Sequence, residues 1–258
     1  MKITYIDTAS VIIDINGFRI LTDPVFDSPG KLYHFGYGTT SRKTDMPALT
    51  PQEIGDIDLV LLSHHQHKDN LDNKGKVFLK TIKQVISTKA AAREFDNITG
   101  LDDWESAEIK TEKLKGLKIT AVPAQHHPWW LPEFFSGKVI GFIIQYEGQT
   151  NGAIYISGDT VYFSGIEEIA RRFTIDTAIL HIGAVQFRYL TGWGRYTFDA
   201  NEAIRTAKLL DPRKIIPIHY RGWTHFKESE DSLKKRFQNS GMNEKTLWLE
   251  KGKPTIIE

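Results

Sequence analysis

The apolar run Leu59-Val60-Leu61-Leu62 has the length and aliphatic composition of a buried strand. It passes without a break into Ser63-His64-His65-Gln66-His67-Lys68-Asp69-Asn70-Leu71-Asp72, so three histidines and two carboxylates arrive where a core strand stops. Imidazole nitrogen and carboxylate oxygen are the ligand set for a borderline metal such as zinc, and His65 and His67 can aim at one ion from a turn. The alternative is a polar loop that carries histidines by chance. Composition narrows the choice of chemistry. The 258 residues include no cysteine, which excludes disulfides, thiolate nucleophiles and cysteine-based zinc sites and leaves His, Asp and Glu as ligands.

The same context recurs along the chain. The apolar run 117–122 leads into Pro123-Ala124-Gln125-His126-His127, run 153–157 into Gly158-Asp159-Thr160, and run 214–218 into His219-Tyr220. One histidine past a strand is ordinarily structural. Four strand ends that all carry His or Asp point instead to a shared crevice, because ends on one rim of a sheet converge where ligand sites in layered folds lie.

Short β-rich runs at 2–6, 10–15 and 18–21 open the chain, with Asn16-Gly17 as a two-residue hairpin turn. A loop-rich section follows from 23 to about 56 and carries Tyr33-His34-Phe35-Gly36-Tyr37. The pattern then predicts strands at 84–87, 108–112, 117–122, 140–146 and 153–157, and a helix over 88–95 capped by Thr88. Helices over 166–172, 199–209 and 227–238 alternate with strands at 177–180 and 214–218; Ala203, Ile204 and Ala207 fall on one helix face. Strands first and alternation later predict two sheets between outer helix layers, in one domain over 1–258. The charge balance of 33 Lys+Arg against 32 Asp+Glu leaves no global field to recruit nucleic acid or an anionic membrane. No run approaches the ~20 apolar residues of a membrane helix, and residues 1–7 lack the apolar core of a signal peptide. With no cysteine, these features predict a soluble protein of the cytoplasm.

His-x-His-x-Asp after a strand, then a distant His, a Gly-Asp-Thr and a final His, resembles the metallo-β-lactamase superfamily. Ile20-Leu21-Thr22-Asp23-Pro24-Val25-Phe26, Val122-Pro123-Ala124-Gln125-His126, Ile156-Ser157-Gly158-Asp159-Thr160, Ile182-Gly183-Ala184 and Pro217-Ile218-His219 are similar to one branch of it. That branch holds N-acylphosphatidylethanolamine phospholipase D and L-ascorbate-6-phosphate lactonase, and the likeness runs over about residues 1–240. The resemblance implies an α/β fold, a four-layer αββα sandwich, with one or two zinc ions where the sheets meet. It implies that His65, His67 and His126 hold the first metal and Asp69, Asp159 and His219 the second, with Asp159 bridging and Asp69 and Asp159 as catalytic residues. Asp23 would orient a ligand histidine from outside. This register leaves His64 to pack or cap.

Two positions depart from the pattern. Asn70 stands where the motif usually ends in histidine, and an amide oxygen is a poorer zinc ligand than imidazole, so the second site would tolerate Mn²⁺ or Fe²⁺. Thr197 stands where the phospholipase-like relatives have a histidine that assists the leaving group or orients substrate. His181 and His127 are extra histidines near the site; His181 is either structural or a replacement for a missing function. His34 and His225 lie in loops and receive no role.

The implied reaction is hydrolysis by a metal-bound hydroxide, on an ester, lactone or phosphodiester of a small or lipid-like molecule. Trp129, Trp130, Phe134 and Phe135, with Phe187, Tyr189, Trp193 and Tyr196, either line a pocket for an apolar substrate or form a small core of their own loops. Arg188 and Arg195 could meet an anionic group. Ser157-Gly158-Asp159 is not a nucleophile-elbow sequence, so a serine route lacks support. Two readings compete: a nucleic-acid phosphodiesterase, which the near-zero net charge disfavours, and a non-catalytic metal- or ligand-binding relative with a decayed second site at Asn70.

Overall fold

The computed structural model describes residues 1–258. Strands β1 (Lys2–Asp7), β2 (Ser10–Ile15) and β3 (Phe18–Thr22) open the chain as a meander. The β2–β3 turn is Asn16-Gly17, both at positive φ (52° and 82°), as a tight hairpin requires. Strands β4 (Leu32–His34) and β5 (Thr40–Arg42) pair as a small separate hairpin inside the section expected to be loops. Then come β6 (Leu59–Leu61), α1 (Asn73–Leu79), β7 (Val85–Thr88), α2 (Lys89–Ala92), β8 (Ile98–Leu101) and β9 (Ser106–Ile109). Next are β10 (Leu117–Pro123), β11 (Ile140–Gln145), β12 (Ala153–Ile156), α3 (Ser164–Arg172), β13 (Ile175–His181) and α4 (Arg188–Thr191). The chain closes with α5 (Ala200–Leu210), β14 (Lys214–Ile218), α6 (Glu230–Asn239) and β15 (Pro254–Ile256).

One sheet runs β15-β1-β2-β3-β6-β7-β8, parallel from β3 onward; the other runs β14-β13-β12-β11-β10-β9, parallel from β12 to β14. Alternate residues explain the layers. Leu59 and Leu61 of β6, Ile154 and Ile156 of β12, and Ile216 and Ile218 of β14 fill one core between the sheets. Their neighbours Val60, Tyr155 and Ile215 face outward into two further cores under helices. Helices α3, α5 and α6 cover the second sheet with Ile166, Ile169, Ala203, Ala207, Leu233 and Phe237, and α1 contributes Leu79 over the first. The result is the αββα sandwich. Both faces of the inner strands are buried, which is why they read as unbroken apolar runs.

The helices begin where their caps dictate. Thr88 caps α2 by accepting from the Ala91 amide, and Asp199 with Glu202 closes a capping box on α5. Helix α6 starts later than expected, at Glu230, because Ser229 is its cap. Strand β9 sits at 106–109 rather than 108–112. No helix is long and apolar enough to cross a membrane.

Beside the rim, Lys43 and Asp7 are fully buried and paired, and Lys251 Nζ lies 2.6 Å from the other Asp7 oxygen. This pair fastens the β4–β5 hairpin to the first sheet. Asp7→Asn would leave the Lys43 ammonium buried without a counter-charge and is expected to cost about 3–5 kcal/mol. Lys43→Met leaves Asp7 with Lys251 and should cost less. Urea unfolding of the two variants checks the order; an equal or larger loss in Lys43→Met would contradict it.

Candidate metal centre

The polar ends of β6, β10, β12, β13 and β14 meet on one rim. His219, just past β14, donates its backbone N–H to Thr8 O at 2.8 Å, and Ile140 at the start of β11 donates to Ser63 O at 3.2 Å, so backbone bonds join the sheets there. Gly158 turns the chain after β12 at φ 59°, and a Cβ in its place would stand 2.6 Å from Ile140 O.

Two groups of possible ligands form at this rim. The first is His64, His67 and His126, with His67 Nδ1 at 3.0 Å from His64 Nε2 and 3.1 Å from His126 Nε2. Outer partners set the tautomers. His126 Nδ1 lies 2.7 Å from Tyr196 O, which can only accept, so its proton is on Nδ1 and its Nε2 lone pair faces inward. Ser63 donates its hydroxyl to Asp23 Oδ1 at 2.9 Å, and His64 Nδ1 lies 2.9 Å from the same Ser63 Oγ. His64 therefore also turns an Nε2 lone pair inward. Burial holds His64 and His126 well below the usual imidazole range and brings His67 down to about 4, so all three are neutral.

The second group is Asp159, His181 and His219, with Asp69 beside it. His219 Nε2 lies 3.3 Å from Asp69 Oδ2 and 3.6 Å from Asp159 Oδ1, and His181 Nδ1 is 2.8 Å from Asp159 Oδ1. Burial pushes the Asp159 carboxyl up to about 7. Burial lowers His181 to about 3.

The geometry corrects one expected ligand. His65 points away from His126, with Nε2 3.0 Å from Glu94 Oε1, and His64 takes its place. The loop holds two residues, not one, between the paired histidines; the signal that could have shown this is Ser63, which locks His64 rather than His65 to Asp23. Asp23 thus reaches a histidine through Ser63. Thr197 is buried and its hydroxyl accepts from the Val185 amide at 3.0 Å, so it holds the chain at Val185. Asp72, the last carboxylate of the motif, caps α1 at Gly75 and also accepts from Phe26. His127 bonds Pro128 O, outside both groups. His225, given no role from the sequence, sits 3.0 Å from Asp69 Oδ2.

A family model described as a beta-lactamase superfamily domain matches residues 18–220. The chain belongs to the metallo-β-lactamase superfamily. Among its relatives, a metal-dependent hydrolase of Methanopyrus kandleri is 25% identical over 98% of both chains, and one of Nanoarchaeum equitans is 27% identical over 94% of both. The isothiocyanate hydrolase from Delia radicum gut bacteria has the same fold, with a TM-score of 0.82 over 100% of this chain and 99% of that one at 23% identity.

The residues at the rim fit the metals of this superfamily. Inward lone pairs of His64 and His126 both face His67 Nδ1, which has at most one proton to share between them; a cation resolves the conflict. Both nitrogens of His219, Nε2 of His181 and Oδ2 of Asp23 are buried without hydrogen-bond partners, a pattern that calls for an unseen polar partner. Above the centre, Phe35, Tyr37, Phe135, Val185, Phe187, Leu190 and Tyr196 wall a cavity whose floor includes His67, Asp69 and His126.

Metal analysis of two variants checks the placement of the first group. His64→Ala should lose the metal of that group, whereas His65→Ala should keep it. Retention in His64→Ala together with loss in His65→Ala would restore the register expected from the sequence.

Proposed function

We propose that residues 1–258 form one metal-dependent hydrolase domain that binds two metal ions, zinc above all, and cleaves an ester or lactone of a small, apolar-bearing substrate. His64, His67 and His126 would hold the first ion; Asp69, Asp159 and His219 the second, with Asp159 between them. The observation that carries this reading is a set of neutral imidazole lone pairs and the Asp69 carboxylate at the floor of a cavity with aromatic walls, with the buried Asp159 carboxylate 3.6 Å from His219 Nε2. Metal ions bound there supply Lewis acidity and lower the pKa of water from ~15.7 towards ~7, giving hydroxide at neutral pH.

This chain's residues do the rest. Asp69 opens onto the cavity and would orient the attacking water and accept its proton. Ser63 and Asp23 keep His64 in one tautomer, and the Tyr196 carbonyl does so for His126. Phe35, Phe187 and Tyr196 would exclude bulk water and hold the apolar part of the substrate. None of the 13 residues lining the cavity is a lysine or arginine. Arg195 is spent on Asp199 and Glu202, and Arg188 stacks on Trp193 at 4.2 Å. A neutral carbonyl compound is therefore favoured over a phosphodiester.

The test is turnover of a panel of aryl and alkyl esters, lactones and phosphodiesters by zinc-loaded protein. Asp69→Asn should lower kcat/KM on the favoured ester or lactone by about 10²–10⁴. Phe187→Ala should raise KM and spare kcat. Preferred cleavage of phosphodiesters would replace the ester reading. Two firmly bound metals with no turnover of any class would make the chain a binding protein.

A further inference from the structure

Asn70 stands where the superfamily motif ends in histidine. With its amide nitrogen turned to the carboxylates it donates to Asp69 Oδ1 and Asp159 Oδ2, each at 3.3 Å. In either orientation the amide is a poorer metal ligand than the imidazole that the motif usually has at this position. The second site is then short of an imidazole on that side.

His225, in the loop between β14 and α6, reaches the site from another direction. Its Nε2 lies 3.0 Å from Asp69 Oδ2, the oxygen that is also 3.3 Å from His219 Nε2. The ring is 3% exposed, with Phe226, Phe35, Phe187 and Trp223 at centroid distances of 4.7, 5.0, 5.5 and 5.8 Å. Its Nδ1 has no hydrogen-bond partner. Of the two neutral tautomers, one donates from Nε2 to the carboxylate and leaves an Nδ1 lone pair buried in this aromatic surround with no donor to meet it. The other carries its proton on Nδ1 and turns the Nε2 lone pair toward the carboxylate. A lone pair 3.0 Å from a carboxylate oxygen is held in place by a cation between them. Metal–ligand bonds of about 2.0–2.2 Å give ligand–ligand separations of about 2.8–3.6 Å across octahedral to tetrahedral geometry, the range in which both contacts of Asp69 Oδ2 fall.

We propose that His225 is a ligand of the second metal, supplied from the loop after β14 in place of the histidine absent at position 70. This rests on the two-metal reading above. Apo-protein titrated with Co²⁺, followed by calorimetry and visible absorption, separates the two claims. The wild type should bind two equivalents; fewer would overturn the two-metal reading itself. Given two, His225→Ala should keep the first binding step and weaken the second by more than ~100-fold, beyond the ~10–100-fold expected from losing an outer hydrogen-bond partner, with an altered Co²⁺ band. A second step within tenfold of wild type and an unchanged band would overturn the ligand role. His225→Gln keeps a side-chain donor for Asp69 but offers only an amide oxygen, so it should lose the second step as the alanine variant does. If it retains that step, His225 only hydrogen-bonds Asp69, and the inference fails. Asn70→His added to His225→Ala should restore the second equivalent.

Discussion

Two buried carboxylates of like charge organise this molecule. Asp69 and Asp159 share the Asn70 amide and lie on either side of His219 Nε2, with almost no access to water. In a low-dielectric interior such a pair cannot carry two uncompensated charges, and burial already lifts Asp159 to about 7. His64, His126 and His181 are held neutral by the same burial, so they add lone pairs and no positive charge. A bound cation inverts that balance, because each group that is costly without it becomes a ligand or a ligand's neighbour. The layered fold brings these groups together by ending several core strands on one rim.

Holding them there costs backbone strain. Asp23, Ala184 and His219 all have positive φ (32°, 47° and 59°), a region that non-glycine residues enter at a cost of about 1–3 kcal/mol each. Each is pinned by a backbone bond to another segment: Asp23 N–H to Leu61 O, Ala184 N–H to Phe198 O, and His219 N–H to Thr8 O. Those bonds turn the chain sharply just beyond the strand. This strain lies at the rim, just past the ends of β3, β13 and β14. It is offset by the core between the sheets, from Ile3 to Ile257.

The layers were legible in the sequence because strands buried on both faces leave unbroken apolar runs, and β2 and β14 lie where that pattern puts them. The edge strand β15 was not, since its exposed Pro254 and Ile256 carry no such signal. At the site, four strand ends announced a metal centre, and His67, Asp69, His126, Asp159 and His219 do come together. The choice between adjacent His64 and His65 depends on one inserted residue in a turn, which spacing alone cannot resolve. His225 was hidden for another reason: it reaches Asp69 from 156 residues away, through a loop whose course is set by the packing of Phe226 and Trp223. Asn70 reads as a loss when the motif is viewed alone. Beside His225 it reads as an exchange of one imidazole for another.

Floor and walls of the cavity have different origins. Strand ends supply the floor, tied into both sheets. The walls come from segments outside those sheets: the β4–β5 hairpin with Phe35 and Tyr37, the turn at Phe135 and Ser136, and the stretch from Val185 to Tyr196. Trp129 and Trp193, 87% and 75% exposed, line a separate surface pocket with Trp130 and Arg195 and are not part of these walls. A substrate's reacting bond would lie on the rigid floor while its apolar part meets the rings. Binding energy from the rings is the same before and during reaction unless it pulls the bond onto the floor, so by itself it sets affinity rather than rate. The chemistry and the choice of substrate are thereby carried by separate parts of the chain. Loops can be rebuilt without disturbing the buried carboxylates, whereas a change at the rim acts on both groups of candidate ligands at once.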